Sequence, residues 1–141
     1  MDESADNEKR KVLVIDDEST IIVYLVTVLE DHGFATCSAA DAETGILNAK
    51  KERPDLICLD IMMPKRSGIS LYQELKQDPA TSDIPVIFIS AFNQVRDLRE
   101  PTVFRKMIPD QTIPMPEDCI EKPIVVDDFI QSIEKNIHSP R

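Results

Sequence analysis

Five polar residues that could do chemistry together are spread along the sequence, and four of them follow short apolar runs. Asp16 and Asp17 follow the run 12–15, Asp60 follows 56–59, Ser90 follows 86–89, and Lys122 lies further along. Clustered carboxylates repel one another, so at neutral pH they need protons or a cation. Oxygen ligands without a nearby histidine suit Mg²⁺, which neutralises charge in phosphoryl transfer, while a hydroxyl and an ammonium can hold further phosphate oxygens. A carboxylate can itself be the nucleophile, and Asp60 is the candidate.

The elements that must position these residues are βα repeats. The runs 12–15, 56–59 and 86–89 lack polar alternation, which is typical of strands buried on both faces of a parallel sheet. Residues 34–39 and 119–121 are expected to add two strands, and helical patterns separate the runs. Ligands bind at the carboxyl ends of such strands, so we expect the five polar side chains to meet in one cleft.

Helix boundaries follow from capping residues and prolines. We expect Ser19, Asp41 and either Asp127 or Asp128 to cap three of the helices, and Gly33 to end the first. Leu47 is expected to face the core. Pro101 should restart the helix after the fourth strand, with Val103, Phe104 and Met107 inward. Residues 108–118 should form an irregular loop, because prolines crowd there.

Length and composition indicate one globular domain. We expect a flexible acidic N-terminus over 1–10, one domain over 11–138 and a short tail over 139–141. The net charge of -10 argues against direct binding of nucleic acid or anionic lipid. Three scattered cysteines suggest neither a disulfide framework nor a zinc site. The polar start and the lack of a long apolar run predict a soluble, cytoplasmic protein without a membrane segment.

The motifs in their order resemble one family over residues 11–138. The resemblance rests on the acidic pair, on Asp60 with Met63, Pro64 and Gly68, on Ser90 followed by Ala91, and on Lys122 followed by Pro123. In this combination the chain resembles a response regulator receiver domain of the single-domain chemotaxis-regulator type. The resemblance implies a flavodoxin-like, doubly wound sheet of five parallel strands in the order 2-1-3-4-5.

The resemblance also implies a mechanism. Asp60 would accept a phosphoryl group from a histidine kinase or a histidine phosphotransfer protein. Mg²⁺, or Mn²⁺ in its place, would be bound by Asp17, Asp60 and the backbone carbonyl of Met62, with Asp16 acting through water. Lys122, joined to Pro123 by a cis bond, would contact the phosphoryl group. Glu18, next to the acidic pair, is most simply a favourable acid at the start of the first helix.

The signal would leave the domain through a switch. Ser90 would hydrogen-bond a phosphate oxygen and stabilise one of two pre-existing arrangements. Such a chain is a phosphoacceptor rather than an enzyme, although it promotes its own phosphorylation and dephosphorylation. Because only a few residues follow the last helix, we expect output through a protein partner, a homodimer or a further domain.

The sequence departs from the family pattern in three places. Cys119 occupies the switch position on the fifth strand, where receivers usually carry an aromatic residue that moves with Ser90; Phe92 or Phe104 are candidate substitutes. Residues 91–118 form an atypical helix and proline-rich loop, which we expect to determine partner choice. Met62 and Phe92 are apolar where the family orients attacking water, which predicts slow self-hydrolysis of the phosphoryl group.

Two rival functions stay open on the sequence. A pseudo-receiver would keep the fold as an interaction module without phosphorylation, and the altered switch position favours it. A Mg²⁺-dependent phosphatase of the haloacid dehalogenase type also uses an aspartate nucleophile at a strand end. That class needs a DxD pair, whereas Asp16 is followed two residues later by Glu18 and Asp60 by Met62. The phosphatase is therefore the weaker rival.

Overall fold

A computed structural model describes residues 9–63, 66–91 and 98–137. Five strands form one parallel sheet in the order β2-β1-β3-β4-β5. The strands are β1 (Lys11–Ile15), β2 (Ala35–Ala39), β3 (Leu56–Asp60), β4 (Val86–Ala91) and β5 (Asp118–Lys122). The predicted fold class and strand order are confirmed. The expectations for residues 1–8 and 138–141 lie outside the described residues.

Five helices are seen in the described ranges. They are α1 (Ser19–Asp31), α2 (Ala42–Glu52), α3 (Gly68–Gln77), α4 (Pro101–Met107) and α5 (Val126–Asn136). Side chains alternate across each strand, so the strands β1, β3, β4 and β5 contribute to two cores, whereas β2 contributes to one. One core packs residues such as Leu59 and Phe88 against α2, α3 and α4, and the other packs Cys58 and Ile89 against α1 and α5. No helix within these ranges is long and apolar enough to span a membrane.

Helix capping differs from the prediction at two of three sites. Asp41 caps α2, because its side chain accepts a hydrogen bond from the Thr44 backbone N–H at 2.8 Å. The predicted caps Ser19 and Asp127 or Asp128 are wrong, since the capping positions are Glu18 and Val125, without a side-chain cap hydrogen bond. The three mispredicted residues lie inside the helices instead. Gly33 follows α1 with φ of 90°, a left-handed conformation that favours glycine.

Two predicted core residues are exposed. Leu47 on α2 is 66% exposed and Met107 at the end of α4 is 45% exposed, so both inward assignments are wrong. Helical spacing places a residue on a stripe, but the width of the buried stripe depends on which neighbours cover it. Phe104 is fully buried, as predicted, and Pro101 begins α4. Phe92 lies outside the described residues.

Residues 101–117, which we call the 101–117 segment, are tied to the core by polar contacts. The Arg105 guanidinium donates to the carbonyls of Asp110 and Ile113, both at 2.8 Å. The Tyr72 hydroxyl donates to the Pro114 carbonyl at 2.5 Å, and the side chain of Ile113 is buried. The loop is irregular, as predicted, but these contacts give it defined anchor points.

Candidate functional site

Three carboxylates meet at the carboxyl ends of β1 and β3. One side-chain oxygen each of Asp16, Asp17 and Asp60 lies within 4.8 Å of the other two. Asp16 and Asp60 are each 2% exposed, whereas Asp17 is open to solvent. β1 and β3 are neighbours in register, with Ile15 beside Leu59, which brings the residues that follow them together. The set offers hard oxygen ligands with one open side, which fits a hydrated Mg²⁺ ion.

Lys122 supplies the positive charge of the cluster. Its Nζ lies 3.2 Å from Asp16 Oδ2 and 3.9 Å from Asp60 Oδ2. Lys122 ends β5, which is not adjacent to β1 or β3 in the sheet, so only its long side chain reaches the carboxylates. The Lys122–Pro123 peptide bond is cis, as predicted.

Burial shifts the pKa values of Asp60 and Lys122 in opposite directions. Burial raises the pKa of the Asp60 carboxyl to about 7; the Met62 backbone N–H and Lys122 lower it, while Asp16 and Asp17 raise it further. Burial lowers the pKa of Lys122, but the charges of Asp60 and Asp16 outweigh burial and leave that pKa above its ordinary value. One ammonium therefore does not neutralise three carboxylates, and a divalent cation would complete the balance.

The loop after β3 is shaped by a glycine. A Cβ at Gly68 would lie 2.5 Å from the Asp60 carbonyl oxygen and from Ile61 Cα, so no larger residue fits without moving the strand end. The Met62 backbone N–H donates to Asp60 Oδ1 at 3.0 Å, which orients the carboxylate. The close approach of α3 thus holds Asp60 in place, and Gly68 in the sequence motif has a steric reason.

Ser90 reaches the same edge of the sheet but does not bond to the cluster. It is 1% exposed, and its Oγ is the one fully buried side-chain polar atom of the described residues without a hydrogen-bond partner. In β4 it follows Ile89, which is beside Asp60 in register. An unpaired buried hydroxyl is costly, so this position is suited to pairing with an oxygen of a ligand.

Cys119 at the predicted switch position is buried on β5 beside Phe88. Burial raises the pKa of its thiol to about 11, so it is not a reactive thiolate at neutral pH. The Arg99 guanidinium donates to the Cys119 carbonyl. Arg99 thus contacts the backbone of the residue at the position where receivers usually carry an aromatic side chain.

Sequence reasoning missed Glu18 as part of the cluster. Its place in the chain predicts only a favourable acid at the start of α1, whereas its Oε1 lies 3.4 Å from Lys122 Nζ. The one sequence signal is its position directly after the acidic pair. The contact joins residues 104 positions apart, so spacing along the chain could not reveal it.

Comparison with known proteins identifies a family. A family model described as the response regulator receiver domain matches residues 12–106. Among curated relatives, the probable transcriptional regulator ycf27 of Porphyridium aerugineum is 43% identical over 90 residues, which cover 64% of this chain and 36% of the relative. Protein PilH of Pseudomonas aeruginosa is 34% identical over 87 residues, 62% of this chain and 72% of PilH. The matched part is thus little over a third of the ycf27 length.

A solved structure extends the comparison of folds. The chemotaxis protein CheY4 of Vibrio cholerae superposes with a TM-score of 0.74 over 90% of this chain and 98% of that chain, at 20% identity. At that identity the likeness concerns the fold alone. The family model, by contrast, covers most of this chain. The chain therefore belongs to the response regulator receiver family, whose domains carry phosphorylation-based signals in two-component systems.

Proposed function

We propose that this chain is a phosphorylation-dependent switch in which Asp60 accepts a phosphoryl group from a histidine kinase or a histidine phosphotransfer protein. One observation carries the proposal: Asp60 is a buried carboxylate that shares a 4.8 Å cluster with Asp16 and Asp17 and faces the Lys122 ammonium. A structural ion pair would not need a cluster of three carboxylates beside one lysine, whereas phosphoryl transfer needs a nucleophile, a cation site and a positively charged hydrogen-bond donor.

The transfer uses Asp60 as the nucleophile. One carboxylate oxygen attacks the phosphorus of a phosphohistidine, the P–N bond breaks, and the histidine nitrogen keeps the electron pair. Asp60 must be ionised for this step. Burial opposes ionisation, while the Met62 N–H and the nearby Lys122 favour it. Lys122 would then contact an oxygen of the transferred group, since its Nζ is already 3.9 Å from Asp60 Oδ2.

The donor set supports a divalent cation. Asp17, Asp60 and the Met62 carbonyl would hold Mg²⁺ directly, and Asp16 would act through water. Both Asp16 oxygens already accept hydrogen bonds, from the Glu18 backbone N–H at 2.9 Å and from Lys122, which favours the indirect role. When bound, Mg²⁺ would neutralise charge that develops on the transferring phosphoryl group.

Ser90 is the proposed internal sensor of the phosphoryl group. Its buried, unpaired Oγ would gain a phosphoryl oxygen as a hydrogen-bond partner. Because this bond would form in only one arrangement of the β4 end, phosphorylation would stabilise that arrangement. Of the candidate readouts, Phe104 lies fully buried, with its ring edge-on to Tyr72 at 6.3 Å. This contact supports a readout in which Phe104 acts through Tyr72 on α3 rather than by swinging at the surface.

The test is covalent labelling by a small phosphodonor. We would incubate the protein with acetyl phosphate, with Mg²⁺ or with EDTA, and measure the intact mass. The wild-type protein should gain one phosphoryl group only with Mg²⁺, and Asp60→Asn should gain none. Asp31→Asn is the matched control, because Asp31 is an exposed acid at the far end of α1.

The result also separates the rival functions. An unlabelled wild-type protein would contradict the proposal and favour the pseudo-receiver. Labelling of Asp60→Asn at the wild-type level would place the acceptor elsewhere. Continuous release of phosphate without an accumulating phosphoprotein would favour the phosphatase.

A further inference from the structure

A closed ring of contacts joins Asp16, Glu18 and Lys122. The Glu18 backbone N–H donates to Asp16 Oδ1 at 2.9 Å, and Lys122 Nζ donates to Asp16 Oδ2 at 3.2 Å and to Glu18 Oε1 at 3.4 Å. The ammonium is thus nearer to Glu18 than to Asp60 Oδ2, which is 3.9 Å away. Glu18 is therefore a direct competitor for the lysine that the acceptor needs.

The backbone of Glu18 is held firmly while its side chain is not. Its carbonyl accepts from the N–H groups of Ile21 and Ile22, both at 3.1 Å, so the residue is fixed at the start of α1. The side chain is 58% exposed and makes no capping hydrogen bond. Exposed ion pairs contribute little to stability, so this contact can be exchanged at small cost.

Binding of a cation to the acidic cluster changes the balance. Asp17 and Asp60 would hold the cation, with Asp16 acting through water, and the bound charge would offset part of the negative charge near Lys122. Glu18 would not ligate the cation in this arrangement, so with Asp16 it would remain one of the two carboxylates in contact with the ammonium, at 3.4 Å and 3.2 Å respectively. The phosphoryl oxygens on Asp60 must then draw Lys122 away from Glu18.

We propose that Glu18 is a positioning residue that holds the Lys122 ammonium at the mouth of the site and competes with phosphoryl oxygens for it. The inference rests on the proposed function and adds a regulator of it. Glu18 would weaken capture of the phosphoryl group and keep the unphosphorylated arrangement populated until transfer occurs.

The experiment measures binding of beryllofluoride, a tetrahedral anion that mimics a phosphoryl group on a carboxylate. Titration calorimetry in saturating Mg²⁺ would compare the wild-type protein with Glu18→Gln. We expect Glu18→Gln to bind about two- to five-fold more tightly, as expected for loss of an exposed ion pair. The Lys122 ¹³Cε chemical shift, measured without beryllofluoride, should also change, which reports the contact independently of binding.

Two control variants separate contact from charge. Glu18→Asp keeps the charge but shortens the reach by one methylene, so it should behave like Glu18→Gln. Glu43→Gln removes an exposed acid from the cleft that Asp17 also lines, and should leave the affinity unchanged. Thermal melts would verify that all variants are folded.

Each outcome has a defined meaning. Unchanged or weaker binding by Glu18→Gln, or an unchanged Lys122 shift, overturns the role of Glu18. Wild-type affinity in Glu18→Asp overturns it as well, because charge alone would then suffice. A wild-type protein that does not bind beryllofluoride overturns the proposed function, and the competition with it; equal binding by all variants overturns only the role of Glu18.

Discussion

The candidate site at the carboxyl ends of the strands and the 101–117 segment differ in how their polar groups are paired. At the site, the carboxylates of Asp16, Glu18 and Asp60 share the Lys122 ammonium, and the Ser90 hydroxyl is buried without a partner. In the segment, Arg105 and Tyr72 each meet backbone carbonyls, and Glu117 exchanges hydrogen bonds with Val86 through its backbone N–H and its side chain, both at 2.9 Å. The polar groups of the segment are satisfied by the protein itself, whereas those of the site are suited to ligands.

This difference indicates which region contributes mainly to stability and which to function. Fully satisfied polar groups rigidify a structure, and unsatisfied ones are tolerated where a ligand will pair them. The segment therefore serves first as part of the core. The expectation that it determines partner choice then concerns its exposed turn at 109–112, because its anchored residues are committed to the fold. Four predictions test the contrast.

The largest expected effect is in the segment. Phe104→Ala should lower the free energy of unfolding by about 3–5 kcal/mol, because it removes a fully buried ring and leaves a cavity beside Tyr72. Denaturant unfolding would measure the change. Met107→Ala on the same helix is the control and should change stability by less than about 0.5 kcal/mol, since Met107 is 45% exposed. Equal effects would show that α4 is not packed as described.

The second prediction concerns Asp60 at the site, where a substitution should raise the free energy of unfolding rather than lower it. Asp60 has a pKa of about 7 in the folded protein, against an ordinary value of 3.8. Between these values the unfolded chain loses its proton first, so the folded state loses stability as pH rises from about 4 to about 7. Without metal, Asp60→Asn should be more stable than the wild type by roughly 1–4 kcal/mol at pH 7, at ~1.4 kcal/mol per pKa unit.

Denaturant unfolding in EDTA across this pH range would test the sign. The two proteins should converge below about pH 4, where the carboxyl is protonated in both states. Added Mg²⁺ should stabilise the wild type and reduce the difference in free energy of unfolding between the two proteins. A variant less stable than the wild type at pH 7 would contradict the picture of a repulsive cluster.

A third prediction concerns the anchoring of the loop. Tyr72→Phe removes the hydroxyl that donates to the Pro114 carbonyl and should cost about 1–3 kcal/mol, because a part-buried carbonyl loses its partner. Hydrogen exchange should rise over residues 108–117. Tyr24→Phe is the matched control, since Tyr24 is 42% exposed on α1. Unaltered exchange would mean that Arg105 alone holds the loop.

The smallest effect should come from Ser90→Ala. The hydroxyl has no partner to lose, so stability should stay the same or rise by up to about 1 kcal/mol. The phosphorylated protein, in contrast, should lose the stabilisation of the switched arrangement, which NMR spectra of the β4 end would show. A destabilisation above that of Tyr72→Phe would mean that Ser90 is already bonded in the free protein.

The sequence by itself determined the strands, their parallel arrangement and most of the site. Continuous apolar runs predict buried strands, and the carboxyl ends of parallel strands must share one edge. These two rules are enough to predict that Asp16 and Asp60 meet, whereas Lys122 follows a predicted fifth strand that is not a continuous apolar run. Gly33 and the start of α4 at Pro101 also follow from local backbone chemistry. Local rules suffice where one residue type is favoured by its own geometry.

Only the tertiary structure decided which contacts complete these elements. The exposure of Leu47, the cap of α1 and the pairing of Glu18 with Lys122 depend on neighbours that are distant in the chain. The same holds for the bond from Tyr72 to Pro114, 42 positions away. Periodicity reports which side of an element is apolar, but burial and hydrogen bonding are set by the other elements that pack there. For that reason the acidic cluster was predictable, and the residues that tune and anchor it were not.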